Sequence, residues 1–223
     1  MTKRKSDERI RRDIVEELAW DSRVGRADIH VAVQDGVATL TGVVDAYAKK
    51  HAAQEAAHQV AGVTDVANEV EVKRIETRAW TDAEIAREVR HALEWDVMVP
   101  DRQIQTTVSD GWVTLDGTVE RLREREDAEG AVRPLAGVLG VLNRITVSPG
   151  RIDPGEVSQL IESVLARRAH REANGIDVRV RDSVVTLSGQ VRSWPEKQAI
   201  LGAVGHARGI VAVDDRMRVD PEA

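Results

Sequence analysis

Residues 110–119 read DGWVTLDGTV, and closely similar stretches occur at two other places along the chain. Residues 35–44 read DGVATLTGVV, and residues 182–191 read DSVVTLSGQV. Each stretch combines a turn pair, a Thr-Leu pair and a glycine with apolar residues that alternate along the chain. Such alternation predicts a half-buried β-strand, and a preceding Asp-Gly pair is a strong local signal for a hairpin turn.

The spacing of these stretches reveals an internal repeat. An offset of 75 positions separates Gly36 from Gly111, and an offset of 72 separates Gly117 from Gly189. No gap is needed within a copy, and the length difference falls between copies, near residues 148–152. A linker between separately folded units tolerates such a change, so we predict three domains of about 70 residues each. The predicted domains are residues 6–73, 80–148 and 153–219.

Each copy begins with a helix-capping signal. Thr81 stands three residues before Glu84, which predicts a capping box, whereas in the first copy Ser6 is followed by Arg9 and the box is half lost. Residues 153–156 read DPGE and predict a cap followed by proline in the first turn. Apolar residues then recur at helical spacing: Ile10, Ile14 and Leu18; Ile85, Val89 and Leu93; Val157, Ile161 and Leu165.

Two strands follow this helix and are joined by the turn pair. In the third copy Ser183 replaces glycine, which should cost the hairpin up to about 1 kcal/mol or force a different turn. The second strand carries Gly42, Gly117 or Gly189 two residues after its leucine. A glycine within a strand indicates a close approach, which we assign to a crossing helix.

A second helix is predicted at residues 45–60, 121–134 and 193–206, and Pro134 should end or bend the helix of the middle copy early. A last strand follows in each copy. The order helix, strand, strand, helix, strand predicts an α+β fold in which two helices pack on one face of a three-stranded sheet. A unit of this size draws only about 3 to 5 kcal/mol from its core, so we expect the units to pack on one another or on a second chain.

Composition restricts the function. A net charge of −6 and a pI near 5.6 argue against nucleic acid as a partner. Cysteine is absent, and His51 and His58 are too far apart on one predicted helix to share an ion, so we expect no metal and no cofactor. The sequence has no glycine-rich phosphate-binding loop before a helix. None of its Asp, Glu, His or Ser residues stands at an equivalent, inward-facing or glycine-flanked position, so we expect no enzyme activity.

The amino-terminal residues are basic but lack a following apolar run, so they do not resemble a secretory signal. No stretch approaches the roughly 18 apolar residues of a membrane span. We therefore expect a soluble cytoplasmic protein, or a periplasmic one if a leader has been removed.

The repeated motif resembles the BON domain of bacterial stress-inducible and cell-envelope proteins. The resemblance rests on the helix with its leucine, on Val-Thr-Leu-x-Gly-x-Val at residues 113–119, and on Ala-Gly-Val at 136–138 followed by Asn143. The third copy departs from it at Ser183 and Asp215. The resemblance implies phospholipid binding or membrane-associated maintenance under osmotic and other stress, in a family that carries no known catalytic residues.

Three tryptophans are candidate contacts with lipid or a partner. Trp20 and Trp95 stand two residues beyond the core leucine, about 200° around the helix from it. Each either anchors at a headgroup or partner, or folds over the helix end as a small satellite core, which we favour. Trp112 should point away from the helices, toward a partner or lipid, or into a contact between adjacent units.

A basic cluster in the second copy is the remaining candidate contact. It comprises Arg121, Arg123 and Arg125, with acidic residues interleaved among them. We favour a solvated, charge-compensated face, although the cluster could also meet anionic lipid.

Three hypotheses follow from the sequence. The first is a peripheral phospholipid-binding module, whose contact with anionic lipid must be local and should weaken with salt. The second is a protein-interaction or self-association scaffold, with a homo-oligomer or another protein as partner. The third is binding of a small ion or metabolite between units, for which no ligand cluster is visible.

Overall fold

The structure is a computed structural model that describes residues 5–25, 27–73, 80–148, 159, 176–207 and 209–220. Unit 1 comprises α1 (Asp7–Trp20), β1 (Asp28–Gln34), β2 (Val37–Val44), α2 (Tyr47–Gln59), β3 (Asp65–Asn68) and β4 (Glu71–Val72). Unit 2 comprises α3 (Asp82–Trp95), a 3-10 turn (Asp101–Gln103), β5 (Ile104–Ser109), β6 (Trp112–Val119), α4 (Leu122–Val132), β7 (Gly140–Asn143) and β8 (Thr146–Val147). Unit 3 comprises β9 (Asp177–Arg181), β10 (Val184–Val191), α5 (Trp194–Gly205) and β11 (Ala212–Val219). The first helix predicted for the third copy, with its cap at 153–156, lies outside the described residues.

The three sheets share one topology. The second strand of the hairpin is central, antiparallel to the first strand and parallel to the last. The same order holds for β5, β6 and β7 and for β9, β10 and β11. The predicted α+β fold is thus confirmed, with the central strand presenting a fully buried leucine toward the helices. These leucines are Leu40, Leu115 and Leu187.

The last strand is interrupted in units 1 and 2 but continuous in unit 3. In unit 1 the side chain of Asn68 donates to the Lys50 carbonyl at 2.9 Å and accepts from the Val70 amide at 3.3 Å. In unit 3 Asp215 occupies the equivalent position and pairs instead with Lys197, 2.9 Å away. The asparagine therefore ties the interrupted strand of unit 1 to the second helix by a hydrogen bond, and the aspartate ties the continuous strand of unit 3 to the second helix by an ion pair.

The hydrophobic pattern of the sequence identifies the core. The apolar stripes of α1 and α3 are buried as predicted, and the inner face of α2 is formed by alanines, among them Ala53 and Ala57. Helix α4 ends at Val132, before Pro134, because proline lacks the amide that would continue the helix.

The capping box predicted for unit 2 forms, and so do the hairpin turns. The hydroxyl of Thr81 accepts from the Glu84 amide at 3.3 Å, and the Glu84 carboxylate accepts from the Thr81 amide at 2.9 Å. Ser6 makes no side-chain cap hydrogen bond. Asp182 and Ser183 have φ values of 50° and 63°, so the third hairpin keeps the same turn and a serine adopts the left-handed conformation.

The prediction that a helix crosses over the strand glycines is wrong. Gly42 and Gly117 have φ values of 132° and 153°. An added Cβ would overlap the carbonyl oxygen of Asp28, the first residue of β1, or of Gln103, the residue just before β5. The close approach is therefore made by the partner strand of the hairpin and not by a helix.

The units pack on one another through the start of each second helix. Tyr47, Leu122 and Trp194 are the first residues of α2, α4 and α5 and occupy equivalent positions in the repeat. Tyr47 packs against the core of unit 2, and Leu122 against the core of unit 3. Trp194 stacks on His58 of unit 1 with a ring-centroid distance of 3.8 Å. The three contacts close a ring within a single chain.

In this closed ring, the second helix of each unit contacts a neighbouring unit. Head-to-tail contacts either close into a ring or propagate into a filament, and here they close. Among the described residues, the exposed large apolar side chains lie on the first helices, the loops and the sheets, and not on α2, α4 or α5. Any external contact through apolar side chains must therefore use those other surfaces.

Candidate functional site

Trp20 and Trp95 are the most exposed tryptophans of the described chain. They end α1 and α3, and 87% and 86% of their surfaces are accessible to solvent. The favoured prediction of a satellite core is therefore wrong. The helical period places each indole on the side opposite the buried leucine, and the following loop turns away without covering it.

The loop after Trp95 extends this exposed apolar surface. Val97 is 95% exposed and Met98 is 57% exposed, and Val99 then enters the core. We call Trp95, Val97 and Met98 the tip of unit 2. Exposed apolar side chains that are adjacent in this way are typical of a site that meets a membrane or another protein.

Unit 1 has the same backbone path but a different tip. Ser22 and Arg23 replace Val97 and Met98. The guanidinium of Arg23 donates to Asp21 at 2.8 Å and to Glu55 at 2.6 Å. These bonds raise the pKa of Arg23 and lower that of Asp21. Trp20 is consequently an exposed indole beside a loop whose polar side chains are bonded to one another.

Trp112 lies on the sheet face opposite the helices, as the alternation predicts, and is 55% exposed. Its ring covers Gly140 of the neighbouring strand, where an added Cβ would collide with the indole. Leu142, two residues further along that strand, is also exposed. The contact that the structure gives Trp112 is thus within its own unit.

The three arginines at the start of α4 are bonded to groups of their own unit. Arg121 pairs with Glu124 at 2.7 Å, and Arg123 pairs with Asp127 at 2.9 Å. Arg125 donates to the Asn143 carbonyl at 3.3 Å. Arg123 and Arg125 also line a cleft against unit 3. This arrangement fits the charge-compensated interpretation.

Polar side chains meet where α2 faces the other two units. Arg133 of unit 2 lies 3.1 Å from Nδ1 of His51 in unit 1. Burial lowers the pKa of His51, and it lowers the pKa of His58 to about 4. Burial also raises the pKa of Glu126, which lines the cleft between units 2 and 3.

Two negative findings limit the chemistry of the part of the chain that the structure describes. It contains no group of three or more histidine, aspartate or glutamate side chains placed to hold a metal ion. None of its helices combines the length and apolar character needed to cross a bilayer.

Several of these residues were not identified from the sequence. Val97 and Met98 lie in a short apolar run between predicted elements, and comparison with Ser22 and Arg23 of the first copy would have revealed them. Trp194 shares its repeat position with Tyr47 and Leu122, which is a signal for a common role. The pairing of Trp194 with His58 carries no local signal, because it joins units 1 and 3.

Comparison with known protein families finds one match in each of the three repeats. The BON domain family profile matches residues 6–74, 81–149 and 154–221. Osmotically-inducible protein Y of Escherichia coli is 30% identical over 130 residues, which cover 56% of this chain and 65% of that protein, just under two thirds of its length.

Two solved structures of CdsD, a structural protein of the type III secretion system of Chlamydia trachomatis, also align with the chain. The first is 14% identical to this chain, and the alignment covers 92% of this chain and 90% of the CdsD chain, with a TM-score of 0.27. The second, of the carboxyl-terminal domain, is 13% identical, and the alignment covers 94% of this chain and 96% of that domain, again with a TM-score of 0.27. Three family matches cover most of the sequence, one for each repeat. The chain therefore belongs to the BON domain family.

Proposed function

We propose that this protein is a non-enzymatic binding protein that associates peripherally with phospholipid membranes in a bacterial osmotic or general stress response. The observation that carries the proposal is the exposed apolar tip of unit 2. The similarity to an osmotically inducible protein supports the stress context.

The tip has the composition of a shallow membrane anchor. Tryptophan favours the boundary between headgroups and acyl chains, where its indole meets both polar and apolar surroundings. Full burial of one apolar side chain contributes about 1.5 to 3 kcal/mol. Three such side chains, only partly inserted, give weak and reversible binding, which suits a peripheral protein. Trp20 supplies a second, smaller anchor.

Charge contributes little at the tip. Glu94 and Asp96 flank Trp95, and the whole chain has a net charge of −6. The guanidinium of the nearby Arg90 is bonded to the carbonyl oxygens of Asp101 and Ile104. We therefore expect apolar burial, rather than attraction to anionic headgroups, to supply most of the binding, with less salt dependence than the sequence alone suggested.

Vesicle co-sedimentation tests this proposal. The double variant Trp95→Ser/Val97→Ser changes two exposed side chains and should leave the fold intact. We expect it to reduce the bound fraction at least about fivefold, whereas Trp112→Ala should bind like the wild type. Equal binding by the double variant and the wild type would exclude the tip as the contact.

A scaffold for protein partners or a second copy is the second candidate. Trp112 and the neighbouring Leu142 favour it, because they form an exposed apolar pair on a sheet face that the ring does not use. Failure to bind vesicles at low salt, together with concentration-dependent association that Trp112→Ala removes, would favour the scaffold over the membrane contact.

A further inference from the structure

A cleft of about 600 Å³ lies between α2 of unit 1 and α5 of unit 3. This volume falls within the range of small-molecule sites in proteins. The tip of unit 2 lies elsewhere, so the proposed membrane contact does not explain the cleft. The lining residues are His51, Gln54, Glu55, His58 and Gln59 of α2, with Trp194, Pro195 and Gln198 of α5.

His58 is the buried polar group of this cleft. Only 4% of its surface is exposed, and one face of its ring is stacked on Trp194 at 3.8 Å. Its Nδ1 has no hydrogen-bond partner among the described residues. This nitrogen is itself buried, so a ligand reaches it only through a shift of the surrounding side chains. A buried polar atom without a partner costs about 1 to 3 kcal/mol, and a hydroxyl group that reaches this nitrogen removes that cost.

The equivalent cleft between units 2 and 3 shows that packing does not require these side chains. There the repeat places Leu122 where Trp194 stands and Gly205 where His58 stands. Gly202 likewise takes the place of Glu55. At these three positions that junction has leucine or glycine, although Arg123, Arg125 and Glu126 also line the cleft there. The imidazole of His58 and the indole of Trp194 are therefore particular to the cleft between units 1 and 3.

The cleft offers polar groups but little net charge. Glu55 is its carboxylate, and Arg23 neutralises it from a distance of 2.6 Å. Because burial lowers the pKa of His58 to about 4, this imidazole is uncharged near neutral pH. Gln59 and Gln198 are exposed and provide amide donors and acceptors beside the apolar surfaces of the α5 residues.

We propose that this cleft binds a small uncharged solute rich in hydroxyl groups, of the sugar or polyol class. Amide side chains match pairs of neighbouring hydroxyl groups, and Pro195 and the accessible part of Trp194 match the C–H surface of such a solute. A simple anion or cation would find no uncompensated opposite charge. A free sugar and a sugar carried by a lipid share this chemistry.

Nuclear magnetic resonance of the full chain tests the assignment. The indole signal of Trp194, identified by its loss in Trp194→Phe, is followed during titration with trehalose and, separately, with vesicles containing a galactolipid. We expect a saturable shift with a dissociation constant of about 1 mM or below for at least one probe, and the responding probe identifies the source. No saturable shift with either probe, or tighter binding of inorganic phosphate at the same signal, would overturn the proposal.

Two variants separate ligand binding from packing. His58→Phe keeps an aromatic ring against Trp194 but removes Nδ1, and Gln59→Ala removes an exposed amide. Each should weaken binding of the responding probe about three- to tenfold, while Glu126→Gln in the equivalent cleft should leave it unchanged. Wild-type affinity in both His58→Phe and Gln59→Ala would show that the cleft residues do not hold the solute.

Discussion

Gly42 and Gly117 show how one absent methyl group sets the geometry of each hairpin. Both residues lie in the central strand at positive φ, facing a carbonyl oxygen at the beginning of the first strand or just before it. The sequence predicted a close approach at these positions, since glycine within a strand is unfavourable without one. It did not identify the approaching group, because that depends on the strand register and on the local φ value.

Gly117→Ala should destabilise the protein by about 2 to 4 kcal/mol, because the added Cβ meets the backbone of Gln103 and the left-handed conformation is strained. Gly130→Ala is the matched control. Gly130 lies in α4 with nothing within 4 Å of the added Cβ, so this change should be neutral or stabilise by up to about 1 kcal/mol. Urea unfolding checks both, and equal stabilities would contradict the assignment.

His58 should make the docking of unit 3 sensitive to acid. Burial lowers its pKa from 6.5 to about 4, so the docked state binds fewer protons than the undocked state. Stability contributed by the neutral imidazole is present above pH 6.5 and is lost as the pH falls toward 4. Asp65 opposes the shift, and Lys197 reinforces it.

The pH dependence is measured against a variant that cannot titrate at this position. Between pH 7 and pH 5, the wild type should lose about 1 to 2 kcal/mol of unfolding free energy relative to His58→Phe. Glu126, whose pKa is raised, acts in the opposite direction and is common to both proteins. Parallel pH profiles for wild type and variant would refute this role of His58.

At the scale of elements, the start of the first helix is bonded to the hairpin turn. The Asp82 carboxylate accepts from the amides of Asp110 and Gly111 at 2.8 and 2.9 Å. Asp7 makes the same pair of bonds in unit 1. The sequence predicted both the helix and the turn from local patterns. It did not predict the bond between them, because its two ends are separated by 28 residues and no periodicity links them.

Removing this carboxylate should loosen unit 2. Asp82→Ala leaves two turn amides without their acceptor and should cost about 1 to 3 kcal/mol. Glu88→Ala, at an exposed position on the same helix, should stay within about 0.5 kcal/mol of the wild type. Thermal unfolding of the two variants checks the difference. An Asp82→Ala protein as stable as Glu88→Ala would show that the bonds contribute nothing.

At the scale of the whole molecule, three copies of one unit form a closed ring. The sequence predicted the copies and, because each core is small, that they would pack on one another or on a second chain. It did not predict which residues join them. Tyr47, Leu122 and Trp194 share a repeat position, but their three side chains differ, and each contacts a different neighbouring unit.

Trp194→Ala should weaken the junction between units 1 and 3 by about 1 to 3 kcal/mol, because it removes the ring stacked on His58. Small-angle X-ray scattering should then report a larger radius of gyration than for the wild type. Trp112→Ala removes the same kind of side chain from an outer sheet face and should leave the radius unchanged. Identical scattering from both variants and the wild type would argue against ring closure through Trp194.

Because the ring engages the second helices, the tip of unit 2 is left exposed for the membrane contact that we propose. Tryptophan fluorescence with vesicles of brominated phospholipid tests this contact most directly, because bromine on the acyl chains quenches only indoles that reach them. We predict quenching in the wild type that Trp95→Phe largely removes and that Trp112→Phe preserves. Absence of quenching at low salt, or quenching unchanged by Trp95→Phe, would contradict the account.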